Sequence, residues 1–224
     1  MQNIALIPAR GGSKGIKRKN IKLFNNKPLI YWSIKMALES DYIDRVIVST
    51  EDEEIADIAR TFSAEVPFIR PASLAQDHSK GIETVLHALE NLSDVANILL
   101  MQPTSPLRKH NHIKEIFNLK SKLNFDSVVS VCLAKKHLDL FFSLDSRNRI
   151  IPSTKNLKLA PRQAYPDKYV LNGSLYLSTK EFILRSKSFI TSNTIGYIMP
   201  EEYSIDIDTQ LDWDIAEFLM AKML

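Results

Sequence analysis

The chain has 224 residues, of which 45% are hydrophobic, 25% charged and 8% aromatic, ample for one sizeable core and too short for two comfortable domains, so a single domain over 1–224 is expected. The formal charge of +3 is unevenly spread: residues 1–38 carry eight Lys or Arg and no acid, while the other 186 residues hold 21 basic and 26 acidic side chains, an asymmetry that points to a polyanionic partner such as nucleotide phosphates, nucleic acid or an anionic membrane. The longest apolar run, 96–101 with Asn97 tolerated, is far short of the roughly 20 residues that span a bilayer, and the apolar piece 4–9 precedes the basic residues, the reverse of a secretory signal, which leaves the cytoplasm as the expected compartment.

Short β-type runs alternate with amphipathic helical stretches. The first strand is expected at 3–8. A helix over 28–38 starts with Pro28 in the first turn and places Leu29, Ile30, Trp32, Ser33, Met36 and Ala37 at helical spacing. A strand at 45–50 leads into a helix over 51–62, with Thr50 as cap, Glu53 three residues on, and Ile55, Ile58, Ala59 and Phe62 on one face. Strands follow at 66–70, 97–102 and 127–133, with helices at 80–92 and 110–122 between them. Cys132, the single cysteine, lies in the apolar alternation 128–133, where it reads as a buried strand residue that cannot close an internal disulfide. Residues 134–168 break the pattern, being rich in Lys, Asp, Ser, Asn and Pro with brief strand-like pieces at 138–144 and 149–151. They read as an inserted hairpin-like arm or lid. Strands resume at 174–178 and 194–199, and a helix from 210 to 223 closes the series. Repeated strand, helix, strand implies right-handed crossovers and an α/β fold with a mostly parallel, doubly covered sheet.

The densest chemistry is the loop Pro8-Ala9-Arg10-Gly11-Gly12-Ser13-Lys14-Gly15-Ile16-Lys17-Arg18-Lys19-Asn20, directly after the first strand. Ligands in open α/β sheets gather at the carboxyl ends of strands. Glycines let backbone approach an anion, Ser13 adds a hydroxyl, and Arg10, Lys14 and Lys19 supply charge, a set that suits a triphosphate. The spacing matches neither a Walker loop nor the dinucleotide fingerprint. A merely solvated charged loop is the competing reading, and strand placement together with the absence of acid through position 38 argues against it. Nucleic acid ranks below a nucleotide, because aromatic stacking partners are scarce within the loop.

Near the C-terminus Ser204-Ile205-Asp206-Ile207-Asp208 alternates strictly. If extended, it puts both carboxylates on one face, about 6 to 7 Å apart, where they could hold a hard cation such as Mg²⁺ that also takes phosphate oxygens. Asp208 is equally a candidate cap for the last helix. Asp212 and Asp214 read as surface residues within that helix.

Four motifs resemble the acylneuraminate cytidylyltransferases, or CMP-sialic acid synthetases, in order through nearly the whole chain. They are 7–15 followed by Arg18-Lys19-Asn20, Leu100-Met101-Gln102-Pro103-Thr104-Ser105-Pro106-Leu107-Arg108, Asn172-Gly173-Ser174-Leu175-Tyr176, and 204–208. The resemblance implies a Rossmann-like sheet of the nucleotide-diphosphosugar transferase type with a small inserted dimerisation arm at about 134–168. It implies transfer of CMP from CTP to a nonulosonic acid of sialic, legionaminic or pseudaminic type, with Mg²⁺, as a homodimer without nucleic-acid or membrane partners. It makes Arg10, Gly11, Gly12, Ser13 and Lys19 triphosphate-loop residues, and Lys19, Arg10 and Asp208 the catalytic set. Asn20 and Arg70 become cytidine contacts, Asp206 and Asp208 metal ligands, and Gln102, Arg162, Asn172, Tyr176 and Phe189 the sugar-acid site. Without the family match Asn172-Gly173 is an ordinary turn signal and Tyr176 a core residue. Departures are Lys17 where the family often has Pro, Gly81 where Ser can contact the nucleotide, and no basic residue at 138–142. An octulosonate cytidylyltransferase, or a non-catalytic nucleotide- or RNA-binding module, is the alternative.

Overall fold

The computed structural model describes residues 1–154, 161 and 165–223. Its central sheet has six strands, β1 (Gln2–Pro8), β4 (Arg45–Ser49), β5 (Val95–Met101), β6 (Ser127–Leu133), β9 (Tyr169–Thr179) and β10 (Ile195–Ile198), in the order β10-β6-β9-β5-β1-β4. Only β9 runs antiparallel to its neighbours; β4, β1 and β5 are mutually parallel, as are β6 and β10. The expected mostly parallel sheet is therefore present. β1 shows why: Ile4, Ala5, Leu6 and Ile7 are all buried, with Ala5 and Ile7 packing on one side and Ile4 and Leu6 on the other. A strand covered on both faces needs such a continuous apolar run.

Helices cover both faces. α1 (Leu29–Leu38), α2 (Glu53–Thr61) and α4 (His110–Leu123) supply Ile30, Ile34, Ile55, Ala59, Ile113 and Ile116 to one core, and α3 (Gly81–Asn91) and α5 (Lys180–Ser186) supply Val85, Ala88, Phe182 and Ile183 to the other. A third, smaller core gathers Ile16 of the basic loop, Phe24, Leu29, Leu107 and Ile207 around Trp213, Ala216 and Met220 of α6 (Gln210–Met223). It fastens the basic loop and the 204–208 segment to one helix.

Several expectations are corrected. Residues 66–70 form no strand. Glu65 makes a single bridge to Ile47, and Pro67, lacking an N–H, stops the ladder until the Arg70 amide donates to the Thr50 carbonyl at 2.8 Å. The cap of α2 is Asp52, whose carboxylate accepts from the Ile55 amide, and Thr50 instead accepts from the Asp52 amide through its hydroxyl. Two elements escaped the sequence reading. One is α5, capped by Thr179. The other is a small hairpin of β2 (Leu23–Phe24) and β3 (Lys27–Pro28), turned by Asn25 and Asn26 at φ 46° and 62°, a left-handed pair that asparagine tolerates. In the arm, β7 (Phe142–Leu144) pairs antiparallel with β8 (Ile150–Pro152). No helix among the described residues is long and apolar enough to cross a membrane.

Candidate nucleotide site

A cleft of about 490 Å³ opens at the carboxyl ends of β1 and β5. Arg10, Ser13, Lys19 and Asn20 border it from the basic loop, Arg70 and Asp77 from the segment before α3, Gln102 and Thr104 from the end of β5, and Asp208 from the segment before α6. Residues far apart in sequence thus share one wall.

The loop is held by acids at the start of α2. Gly11 donates its amide to Glu51 Oε1 at 2.7 Å. Arg18, left-handed at φ 53°, pairs with Asp52 and with Glu54 Oε2 at 2.5 Å. That guanidinium holds the Asp52 carboxyl below the usual carboxylate range. A Cβ on Gly11 would lie 2.3 Å from Asp52 Oδ2, and one on Gly15 would lie 2.1 Å from the Asp208 carbonyl oxygen. Both glycines are therefore close-approach positions. Gly11 faces α2, while Gly12 lines a smaller cleft beside Ser13 and Glu51.

Lys19 joins the two halves of the site. Its Nζ donates to the Ile207 carbonyl at 2.5 Å and lies 3.2 Å from Asp208 Oδ1, and its side chain is only 12% exposed. Arg10 and Lys14 both contact Asp77, at 2.9 and 2.8 Å. Lys14 first, then Arg10, hold that carboxyl below its ordinary range. Asn20 is buried and spends its amide on the Arg10 carbonyl at 2.9 Å, a bond that shapes the loop. Arg70 is 4% exposed, with Nη2 on Glu51 Oε2 at 2.7 Å, Nη1 on Thr84 Oγ1 at 3.2 Å, and Nε buried without a partner among the described residues.

The segment 204–208 is not a strand, and its two carboxylates meet different surroundings. Ile207 N donates to the Thr104 carbonyl at 2.8 Å, Asp206 points inward, and the Asp208 side chain is 76% exposed in the cleft. Burial, reinforced by the neighbouring Asp208 charge, pushes the Asp206 carboxyl up despite a hydrogen bond from Thr104, and Asp206 Oδ1 is buried with no partner. Asp208 does not cap α6. Thr209 and Asp212 do so reciprocally: the Asp212 amide donates to Thr209 Oγ1, and Asp212 Oδ2 accepts from the Thr209 amide and hydroxyl. This gives Asp212 a structural task the sequence reading denied it.

The remaining positions surround Asp206. β9 bulges opposite Ser130, where the β6 register shifts between Val129 and Val131; Gly173 takes φ +72°, and its absent Cβ would stand 3.1 Å from Asp206 Oδ2 and 3.4 Å from Gln102 Oε1. Asn172-Gly173 is therefore a bulge within a strand and not a turn between elements. The Asn172 side chain is consumed there, accepting from Ser130 Oγ at 2.6 Å and donating to Ser204 Oγ at 2.9 Å. Tyr176 is raised by burial and then by Asp206; its ring lies 5.6 Å from that of Phe189, which is itself in the core. Below the cleft Arg108 is fully buried, donating to the carbonyls of Ser105 and Gln102 and to Ser33 Oγ, with Nη1 unpartnered. Burial pushes it down to about 9, so it remains a cation at neutral pH. Arg162 lies outside the described residues. Sequence reading missed Glu51, Asp77 and the task of Arg108; Glu51, just beyond the carboxyl end of β4, had the position rule in its favour.

A glycine-rich cationic loop at the end of β1, facing an acidic segment across a strand-end cleft, defines the class: an α/β protein with an anion-suited cleft at its strand ends. The profile of the family described as Cytidylyltransferase matches residues 4–221. The N-acylneuraminate cytidylyltransferase of Escherichia coli O18:K1:H7 is 34% identical over 98% of this chain, which spans 52% of that relative's length. The CMP-N,N'-diacetyllegionaminic acid synthase of Legionella pneumophila is 36% identical over 98% of this chain and 97% of its own. A solved CMP:2-keto-3-deoxy-manno-octonic acid synthetase, complexed with CTP, shares the fold, with a TM-score of 0.76 over 100% of both chains at 14% identity. The chain thus spans about half the length of the first of these relatives and nearly all of the second. It belongs to the cytidylyltransferase family.

Proposed function

We propose that the chain transfers CMP from CTP to a nonulosonic acid of sialic, legionaminic or pseudaminic type. The sugar's anomeric hydroxyl attacks the α-phosphorus and gives up its proton to solvent, a new P–O bond forms, the bond to the β-phosphate oxygen breaks, and pyrophosphate leaves. The observation that carries this reading is Lys19 fixed between the Ile207 carbonyl and Asp208 at the rim of the cationic cleft. An ammonium held by the fold and largely removed from water stabilises developing phosphate charge more than a free one does.

Arg10 and Ser13 take the triphosphate, which displaces Asp77 from Arg10 and Lys14. Arg70, whose Nε is buried without a partner, reads the base with Asn20 beside it. Gln102 and Tyr176 border the sugar acid, with Phe189 packed behind Tyr176. Asp206 and Asp208 fit a hard cation: Asp206 Oδ1 is buried and unpartnered, its carboxyl is pushed up by burial and by Asp208, and a divalent ion relieves both. With Asp206 and Asp208 as the protein ligands, Mg²⁺ would take its remaining ligands from phosphate oxygens and water. When bound it neutralises charge on the phosphates.

The arm leaves Phe141, Phe142, Leu144, Ile150 and Ile151 exposed, and the patch continues onto Tyr169, Val170 and Leu171 of β9. A contiguous apolar surface of this kind marks an interface, and a second copy of the chain covers it. Replacing Phe142 and Ile151 with Asp together is expected to shift the species seen by light scattering from dimer to monomer.

Pyrophosphate release from CTP with Mg²⁺ and a panel of sialic, legionaminic, pseudaminic and 3-deoxy-octulosonic acids tests the function. Turnover with a nine-carbon acid is expected. Turnover with the octulosonic acid alone, or with none, overturns the reading.

A further inference from the structure

Glu51 stands between the two parts of the cleft that must recognise different ends of one nucleotide. It follows β4 directly, and its side chain is 17% exposed. Each carboxylate oxygen takes one donor from a different segment: Oε1 accepts from the Gly11 amide and Oε2 from Arg70 Nη2, both at 2.7 Å. Gly11 lies in the phosphate loop, and a Cβ there would force Asp52 to move off its place beside Arg18. Arg70 is almost fully buried, and among the described residues its only other side-chain bond runs to Thr84 at 3.2 Å. The orientation of the guanidinium and the height of the loop therefore depend on the same carboxylate.

We propose that Glu51 is a positioning residue that locks the base-reading arginine to the phosphate loop, so that the correct base and the correct triphosphate geometry are selected together. This rests on the reading of the cleft as a CTP site with Arg70 at the base. A carboxylate is the one side chain that suits the place. A glutamine of the same shape has a single acceptor oxygen for two donors, so either the loop amide or Arg70 is left facing an NH₂ group. An arginine buried this deeply needs a fixed counter-charge, and once freed it can swing toward other acceptors in the cleft. The expected consequence is lost discrimination between pyrimidine bases, beyond any general weakening.

The test is calorimetric binding of CTP and of UTP, without a sugar acid, to the wild type, Glu51→Gln, Arg70→Ala and the double variant. Circular dichroism and thermal melting report whether each one folds. Arg70→Ala is expected to lower the CTP-to-UTP affinity ratio about tenfold or more, the scale set by losing a polar partner at a recognition site. Glu51→Gln is expected to lower the same ratio by a similar factor, and the double variant to match Arg70→Ala, because coupled residues are not additive. Should Glu51→Gln fail to fold, Glu51→Asp keeps the charge, shortens the reach and serves for the same ratio. If Arg70→Ala lowers the ratio but the Glu51 variant leaves it unchanged while weakening CTP and UTP equally, Glu51 is a structural ion-pair partner and the proposal is overturned. If Arg70→Ala itself leaves the ratio unchanged, Arg70 does not read the base, and both the proposal and that part of the site assignment fall.

Discussion

The contact between Gly15 and the Asp208 carbonyl offers a direct test of whether the basic loop and the acidic segment work as one site. The Gly15 φ is not in the left-handed region, so the backbone accepts alanine and the substitution acts through space alone. The new Cβ would stand 2.1 Å from the carbonyl oxygen, whereas carbon and oxygen ordinarily approach to about 3.3 Å, so the two segments must part by about 1.2 Å. Neither partner is a flexible side-chain end. Overpacking of this kind costs about 1–3 kcal/mol, offset by about 0.4–1 kcal/mol from the stiffer unfolded chain. The net of about 0–2.6 kcal/mol, at about 2–4 °C per kcal/mol for a chain of this size, lowers melting by up to roughly 10 °C. The effect on turnover is larger, because the displacement separates Lys19 from Asp208, and a misplacement of about 1 Å can cost about 10²-fold. Gly12→Ala is the matched control, since nothing lies within 4 Å of its Cβ position. It should leave melting unchanged or raise it slightly. Differential scanning fluorimetry and pyrophosphate release measure both quantities. A Gly15→Ala protein with wild-type melting and turnover would refute the juxtaposition itself.

Asp206→Asn should abolish most turnover yet stabilise the metal-free protein at neutral pH. The folded state raises the Asp206 carboxyl above its ordinary value of 3.8; its charge therefore costs stability when ionised, and that cost fades as pH falls through the folded value and is gone below 3.8. The gain in melting temperature over wild type should be present at pH 7 and absent near the acid limit, and an equal gain at both would contradict the sign. Mg²⁺ with CTP should raise the melting temperature of the wild type by more than that of this variant. Asp77→Asn frees Arg10 and Lys14 and should tighten CTP binding by about 2- to 5-fold at low salt, the scale of exposed ion pairs; calorimetry showing weaker binding would make Asp77 a nucleotide ligand. Asn172→Ala removes the buried acceptor shared by the Ser130 hydroxyl and the Ser174 amide and should cost about 1–3 kcal/mol, read as a lower urea midpoint. An unchanged midpoint together with a raised KM for the sugar acid would assign Asn172 to the substrate.

Much of this was legible in the chain because it depended on local pattern. β1 had to be buried on both faces, since four consecutive apolar residues leave no polar side. The loop after it could be placed at the carboxyl end of a strand, and its glycines and cations named. The helices from 28 to 122 followed from 3.6-residue spacing, within a residue or two of their ends. Errors arose where a nearby residue competed for the same task. Thr50 looked like a cap, but Asp52 was two residues closer to the helix, and Asp208 gave way to Thr209 and Asp212. The segment 66–70 has strand-like composition, yet Pro67 removes the donor the ladder needed.

The sequence by itself determined the inventory: a cationic glycine loop, a late pair of aspartates, a mostly parallel sheet and a polar inserted arm. The tertiary structure alone decided how that inventory is used, because charge and hydrogen-bond capacity are divided among neighbours that lie far apart in the chain. Of the eight basic residues before position 39, Arg18 is committed to Asp52 and Glu54, Lys22 lies over Trp213, and Lys19 reaches Asp208 across 189 positions. The two aspartates, equivalent in an alternating string, become unlike once folded, one buried with an unpartnered oxygen and the other open to the cleft. No spacing rule could separate them, since burial depends on which distant residues close over each carboxylate.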